Sequence, residues 1–303
     1  REQREAAARR WLNERKVLVV LGVMKGGTSA LRMHLRATAW EDNLSLPWEE
    51  VHFFDEEEEF SKGPAHYADL FRWGDDWPPP IVLGDVTPSY LYMPKVAARL
   101  RNLLPNARLV VMLRNPVDRA LSHHNHDLAK GREVGRLRDR CEEELVSSPP
   151  ESRWDLFHRG LYAAQLERLL RFFPREQLLV VASERYRRQP RPWLRRIRAF
   201  AGLSDRAGWD DEKLPEDHVR GGYAEALSIE DRGRLRELYA ADVARLRHLL
   251  GDALHEWAGD FPLESKLAPA LQDITGRGRG RPPSEDRGGS DEDDDVACGR
   301  PEK

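Results

Sequence analysis

Lys25, Gly26, Gly27, Thr28, Ser29 and Ala30 come one residue, Met24, after the apolar run Val17–Val23 and precede a helical pattern that includes Leu31 and Leu35. The run is short and β-branched, as a buried parallel strand is. Strand, glycine-bearing loop and helix N-terminus together make an anion site, because unsatisfied N–H groups and the positive dipole end converge there. Glycines let the backbone approach a phosphate closely, and Lys25 adds a mobile full charge. Thr28 or Ser29 is the expected helix cap. A nucleotide triphosphatase loop reads G-x-x-x-x-G-K-[ST]. Gly22 and Gly27 have that separation, but Thr28 occupies the lysine's place and the lysine falls two residues before Gly27. The displacement argues against ATP or GTP hydrolysis. A plain glycine turn between strand and helix is the bland alternative.

Two further groups carry chemistry. Trp48-Glu49-Glu50-Val51-His52-Phe53-Phe54-Asp55 predicts a short buried strand at Val51, Phe53 and Phe54, with Glu50 and His52 on its opposite face. Charge beside a buried strand is costly unless something uses or pairs it. The acidic residues Glu56–Glu59 read as a solvated helix start. Arg114 ends the strand predicted at 108–113, and in open α/β sheets ligands gather at the carboxyl ends of strands. Asn115-Pro116 then starts a helix, with Ser122 two turns in. Taken singly, Arg114 also reads as a salt-bridged strand-end arginine and Ser122 as a helix-surface serine.

These groups need a frame. Residues 1–15 suit an amphipathic helix. Further strands are expected at 81–85 and 178–182, and further helices at 94–104, 160–173, 192–201 and 228–250, the last capped by Ser228. Residues 131–153 read as a charged excursion. The connection 61–80, with Tyr67, Phe71, Trp73 and Trp77, reads as aromatic packing, with sugar stacking as the rarer alternative. Five apolar strands alternating with helices predict an α/β fold, a P-loop-like doubly wound parallel sheet flanked by helices. The expected organisation is an N-terminal helix at 1–16, a single domain at 17–265 and a disordered charged tail at 270–303.

A net charge of −3 gives no polybasic case for nucleic acid, although Arg185–Arg198 is strongly basic and Ser290–Asp295 acidic. Two distant cysteines, Cys141 and Cys298, define no disulfide framework and no metal site. No apolar run approaches the roughly 18 residues of a membrane span. Because the sequence starts at Arg1, membrane association is expected only through an upstream anchor.

Three segments converge on one family. Gly22–Thr28, Glu50–Asp55 and Leu113–Ser122 resemble the heparan sulfate glucosaminyl sulfotransferases, especially the 3-O- and N-sulfotransferase branch. Arg159–Arg168, Phe173–Leu179 and Phe200–Leu203 follow in the family's order, so the resemblance spans roughly residues 17–257. It implies a donor, 3′-phosphoadenosine 5′-phosphosulfate (PAPS), leaving as 3′-phosphoadenosine 5′-phosphate (PAP), and no metal. Residues Lys25 to Ala30 would hold the 5′-phosphosulfate. Arg114 and Ser122 would hold the 3′-phosphate, with Arg220 and Gly221 in a looser match nearby. Glu50 falls on the family's catalytic base, with His52 and Asp55 beside it. His52 is the rival base, since an unperturbed imidazole titrates nearer neutrality.

The residue types suit in-line sulfuryl transfer to a hydroxyl or amine, where positioning and charge stabilisation dominate. The sequence departs from the family in three places. Ser29 follows the loop threonine where a basic residue is common. Val86 replaces a frequent lysine in Asp85-Val86-Thr87-Pro88, and the late cysteine pair is missing. The acceptor implied is a carbohydrate, or a less anionic hydroxyl compound. A Golgi lumen is the family expectation if an anchor precedes Arg1; otherwise the cytoplasm. The competing readings are a P-loop nucleotide kinase and a non-catalytic glycan- or nucleotide-binding relative.

Overall fold

The computed structural model describes residues 1–39, 44–71, 80–132, 134–146, 155–203, 214–215 and 224–262. Apolar residues alternate between two faces of a central sheet, and this alternation builds two cores. Val17, Val19 and Leu21 join Leu83, Leu109 and Val111 on one face. Leu18 and Val20 join Val82, Val110, Met112 and Val181 on the other. Every residue of the first strand after Lys16 is buried. A strand covered on both faces needs such a continuous apolar run.

The five strands are β1 (Lys16–Gly22), β2 (Leu44–Ser45), β3 (Val82–Val86), β4 (Arg108–Leu113) and β5 (Leu178–Ala182). They lie in the order β2-β3-β1-β4-β5, and each neighbouring pair is parallel. The chain leaves β1 towards β2 and β3, then crosses to β4 and β5. The switch point therefore falls between the carboxyl ends of β1 and β4, where this architecture opens a crevice. The α/β, doubly wound parallel fold expected from the sequence is the fold observed.

Helices α1 (Glu2–Asn13), α2 (Thr28–Ala37), α3 (Glu57–Ser61) and α4 (Pro64–Asp69) belong to the first half. Next come α5 (Pro94–Leu103), α6 (Pro116–Ala129), α7 (Leu137–Val146) and α8 (Tyr162–Leu170). The last are α9 (Ser183–Arg188), α10 (Pro190–Ala201) and α11 (Ile229–Leu250). Leu31 and Leu35 of α2 and Leu194 and Ile197 of α10 pack on one face of the sheet. The other face takes α1, α5, α6, α8 and α11. Each fully buried leucine or isoleucine contributes about 1.5–3 kcal/mol.

Three expectations need correction or placement. Residues 131–153 are not simply an excursion. Leu137 and Cys141, four apart on one face of α7, are buried in the larger core. Tyr67 and Phe71 are fully buried packing residues, with Tyr67 against Phe53 and Phe54. Trp73, Trp77, Arg220, Gly221 and the tail at 270–303 lie outside the described residues. Among the described residues, no helix is long and apolar enough to cross a membrane.

Candidate active site

The loop after β1 is made by backbone conformation. Val23 N–H extends the sheet by donating to Met112 of β4 at 2.9 Å, and Gly26 N–H turns back to Val23 O at 2.8 Å. A Cβ on Gly26 would lie 2.8 Å from both the Met112 and the Val23 carbonyl oxygens. Only glycine seats the loop that closely on β4. Lys25 takes a positive φ of 67°, a conformation uncommon for a residue with a side chain. Gly27, at φ 89°, is the N-cap of α2, and no side chain caps the helix. The sequence places the cap at Thr28 or Ser29; Thr28 is instead the first helical residue. With a glycine cap, no side-chain oxygen takes the first-turn N–H groups.

The β4–α6 connection closes the other side of the crevice. Arg114 follows β4 and donates from Nη1 to Lys25 O at 3.1 Å, tying the two loops together. Tyr162 OH donates to Arg114 O at 2.9 Å. Asn115 caps α6 as expected, its Oδ1 accepting from Val117 and Asp118 N–H at 3.0 and 3.4 Å. Its own N–H donates to Glu184 at 2.8 Å. Ser122 is buried on α6 rather than on the helix surface, because this turn of the helix is covered nearly all round: His123, His124 and Asn125, which point in successive directions, are buried too. Ser183, which opens α9, was not singled out from the sequence, yet its Oγ is 3.3 Å from where a Gly27 Cβ would stand. Arg220 and Gly221 lie outside the described residues.

Residues 51–55 are a turn and not a strand; the short strand of this region is β2, at Leu44–Ser45. The reason lies in the hydrogen bonds. Side chains rather than a neighbouring strand satisfy the segment's donors. Val51 N–H donates to Thr87 Oγ1, and Phe53 N–H to Tyr90 OH, each at 3.0 Å. Both hydroxyls pass the interaction on to Asp85. Thr87 Oγ1 donates to Oδ1 at 2.7 Å and Tyr90 OH to Oδ2 at 3.1 Å, while Tyr67 OH adds a bond to Oδ2 at 3.2 Å. Burial pushes the Asp85 carboxyl up to about 6, with the three hydroxyls opposing the rise. Phe53 and Phe54 are buried side by side in an edge-on pair at 5.0 Å. Asp85, Thr87 and Tyr90 escaped the sequence reading as positioning groups because their partners lie more than thirty residues away, or in Asp85's case are hydroxyls indistinguishable from packing.

That turn carries a charged chain. Arg32 Nη2 lies 3.4 Å from Glu50 Oε1, His52 Nε2 is 3.3 Å from Glu50 Oε2, and His52 Nδ1 is 3.0 Å from Asp55 Oδ2. Ser89 Oγ donates to Asp55 at 2.5 Å. Hydrogen bonds to Asp55 and Glu50 raise the His52 imidazole to about 10. Burial pushes Asp55 upward, but His52 and Ser89 outweigh it and hold the carboxyl below its ordinary value. An imidazolium has no lone pair with which to take a proton. Glu50 is 36% exposed at its side chain, so its carboxylate is reachable from solvent. The structure thus brings Glu50, His52 and Asp55 together, with Arg32 as an unanticipated fourth member.

Folding also gathers Glu144, Asp155 and His158, whose potential ligand atoms lie within 4.8 Å of one another. Glu144 accepts the N–H groups of Leu156 and Phe157, and Asp155 accepts the Tyr92 hydroxyl. Those carboxylates serve local structure.

The family model described as "Sulfotransferase domain" matches residues 15–220. Heparan sulfate glucosamine 3-O-sulfotransferase 3B1 of Mus musculus is 33% identical over 189 residues, covering 61% of this chain and 45% of the relative. Heparan sulfate glucosamine 3-O-sulfotransferase 6 of Homo sapiens is 32% identical, over 61% of this chain and 52% of the relative. The chain thus spans about half the length of the curated relatives it matches. A solved sulfotransferase of Alicyclobacillus acidocaldarius superposes with a TM-score of 0.63 at 28% identity, over 80% of this chain and 98% of that one.

Proposed function

From the premise that this chain belongs to the sulfotransferase domain family, we propose that it moves a sulfuryl group from PAPS to a hydroxyl or amine of a carbohydrate acceptor. The observation that carries the reading is the reach of Arg32. It sits one turn into the helix that opens on the glycine loop, and its guanidinium lies 3.4 Å from Glu50. One helix therefore spans from the donor loop to the candidate base.

The loop fits a phosphosulfate group: a glycine cradle that a Cβ would fill, a helix N-terminus without a side-chain cap, and Lys25 within the loop. Thr28, Ser29 and Ala30 would offer first-turn N–H groups, and Gly26 and Gly27 the close approach. Arg114 and buried Ser122 would hold the 3′-phosphate, with Arg220 and Gly221 contributing from the later loop. PAPS, when bound, supplies the sulfuryl group. Glu50 accepts the proton of the acceptor hydroxyl as its oxygen bonds to sulfur, a role worth about 10²–10⁴-fold in rate. Lys25 and the loop N–H groups stabilise the charge that gathers on the departing phosphate. His52, protonated between Glu50 and Asp55, orients the base. The named relatives' action on glucosamine points to an amino-sugar hydroxyl as the acceptor group.

Calorimetric and thermal-shift titration with PAP, against ADP and ATP–Mg²⁺, tests the donor. A ligand that binds only the native state adds about 2.7 kcal/mol of stability at 100 Kd. Selective stabilisation by PAP is expected; preference for ATP–Mg²⁺ would overturn the reading in favour of a kinase. Glu50→Gln is expected to abolish sulfate transfer while leaving PAP affinity unchanged. Parallel loss of both would remove Glu50 from its assigned role.

A further inference from the structure

Trp48 is 79% exposed, and among the described residues no other large aromatic side chain is more than half exposed. Leaving an indole in water forgoes a sizeable burial energy, so a held, exposed tryptophan calls for a use. It is held. The Arg36 guanidinium carbon lies 3.2 Å from the centroid of the Trp48 ring, covering one face. Arg36 is itself fixed by donating from Nη1 to Leu46 O at 2.8 Å. The backbone is fixed as well, because Arg32 Nη1 donates to Trp48 O at 3.2 Å. The other end of that same guanidinium meets Glu50 Oε1 at 3.4 Å and Val86 O at 3.0 Å. A single planar group thus joins the indole's peptide to the candidate base, which lies two residues further along the chain.

We infer that Trp48 is the stacking platform of the acceptor subsite and takes the C–H face of a pyranose ring next to Glu50. The inference rests on the sulfotransferase reading and names the side chain that seats its carbohydrate acceptor. An indole backed by a guanidinium presents a flat, electron-rich surface to the C–H bonds of a pyranose, and hydrophobic burial and dispersion then supply affinity without a charge on the ligand. Only the backbone carbonyl of Trp48 joins the network, through Arg32; the indole stands outside it, so the side chain contributes to binding more than to the chemical step.

The test is calorimetry of the full chain, saturated with PAP, against a hexasaccharide of alternating glucosamine and hexuronic acid. Trp48→Ala is expected to weaken the hexasaccharide Kd about tenfold, the size of one well-stacked aromatic contact. Trp48→Phe is expected to stay within about threefold of the parent, since a smaller ring still stacks. The Ala-to-parent ratio should persist at high salt, because screening acts on charges and not on stacking. In transfer assays the loss should appear in the KM for the sugar, with kcat and PAP affinity unchanged. An unchanged hexasaccharide Kd in Trp48→Ala overturns the platform, as does a ratio that vanishes at high salt or a parent that does not bind the hexasaccharide. The PAP titration is read separately: loss of PAP binding in the parent strikes the sulfotransferase reading, whereas intact PAP binding with unaltered sugar binding strikes only Trp48.

Discussion

The donor loop follows β1, the acceptor turn is gripped from the exit of the neighbouring strand β3, and the two are held by opposite means. The donor loop after β1 is fixed by backbone geometry: Gly26 against the Met112 carbonyl, Gly27 and Lys25 at positive φ, and a glycine-capped helix. The acceptor turn at 51–55 is fixed by side chains: Thr87 and Tyr90 grip its amides, and Asp85 grips them in turn. A site built from backbone is broken by adding atoms. A site built from side chains is broken by removing or re-charging them. The difference predicts which substitutions hurt which half.

Gly26→Ala is the severest test of the backbone half. Its methyl would press on two carbonyl oxygens at 2.8 Å, and neither carbonyl can withdraw without breaking the bonds of Val23 and Gly26. We expect a stability loss of about 1–3 kcal/mol, as for overpacking, together with loss of PAP binding. Urea denaturation and PAP calorimetry on one preparation check it. A variant that binds PAP normally would show that the loop does not need this close seat on β4.

Arg114→Ala comes next. It removes both a charge proposed for the 3′-phosphate and the tie to Lys25 O. A charge-assisted bond is worth about 1.5–3 kcal/mol, so PAP affinity should fall roughly 10- to 100-fold. Affinity for adenosine 5′-phosphosulfate, which lacks the 3′-phosphate, should fall far less. Equal losses for both nucleotides would make Arg114 a structural tie alone.

Asp85→Asn probes the side-chain half and should spare the donor. Asparagine turns an N–H donor towards hydroxyls that now donate to a carboxylate. The grip on Val51 and Phe53 loosens, and kcat is expected to drop about tenfold through misplacement of Glu50, with PAP affinity unchanged. A stability signature accompanies it. The Asp85 carboxyl, raised from 3.8 to about 6 in the fold, binds more protons in the native than in the unfolded state across that window. Its contribution therefore falls as pH rises from about 4 to 6, by about 3 kcal/mol at most. In Asp85→Asn that decline should vanish, as denaturation midpoints across the window would show.

The same contrast explains what could be read before folding. The donor loop was legible because its determinants are contiguous: an apolar run, Lys25, Gly26, Gly27, then a helical pattern. Asn115 was legible as a cap for the same reason, its partners being two and three residues away. The acceptor turn misled. The apolar spacing of Val51, Phe53 and Phe54 satisfies a strand pattern, but the amides that decide the matter are satisfied from Thr87 and Tyr90 on another strand's exit. Arg32 escaped for a similar reason, since nothing local ties a helix-surface arginine to a carboxylate eighteen residues later. The edge strand at Leu44–Ser45 is only two residues long, too short for any pattern to register.

The smallest expected effect concerns His52, and it tests whether the acceptor half is also a charge relay held in one protonation state. His52 is raised from 6.5 to about 10 by hydrogen bonds to Asp55 and Glu50. A group raised in the fold contributes stability that is complete below its unfolded value and is lost as pH climbs to its folded value. The window is thus about 6.5 to 10, opposite in sense to Asp55, whose lowered carboxyl contributes above its unfolded value and loses that contribution as pH falls. The ring is partly open to solvent, so screening should reduce the His52 contribution to about 1 kcal/mol. His52→Gln keeps a polar side chain but cannot titrate; the decline in stability between about pH 6.5 and 10 should flatten in that variant. Transfer activity in the parent should show no acidic limb near 6.5, because the imidazole is already protonated throughout and Glu50 is the group that must be bare. A limb near 6.5 that disappears in His52→Gln would return the base to His52 and leave Glu50 as its orienting partner.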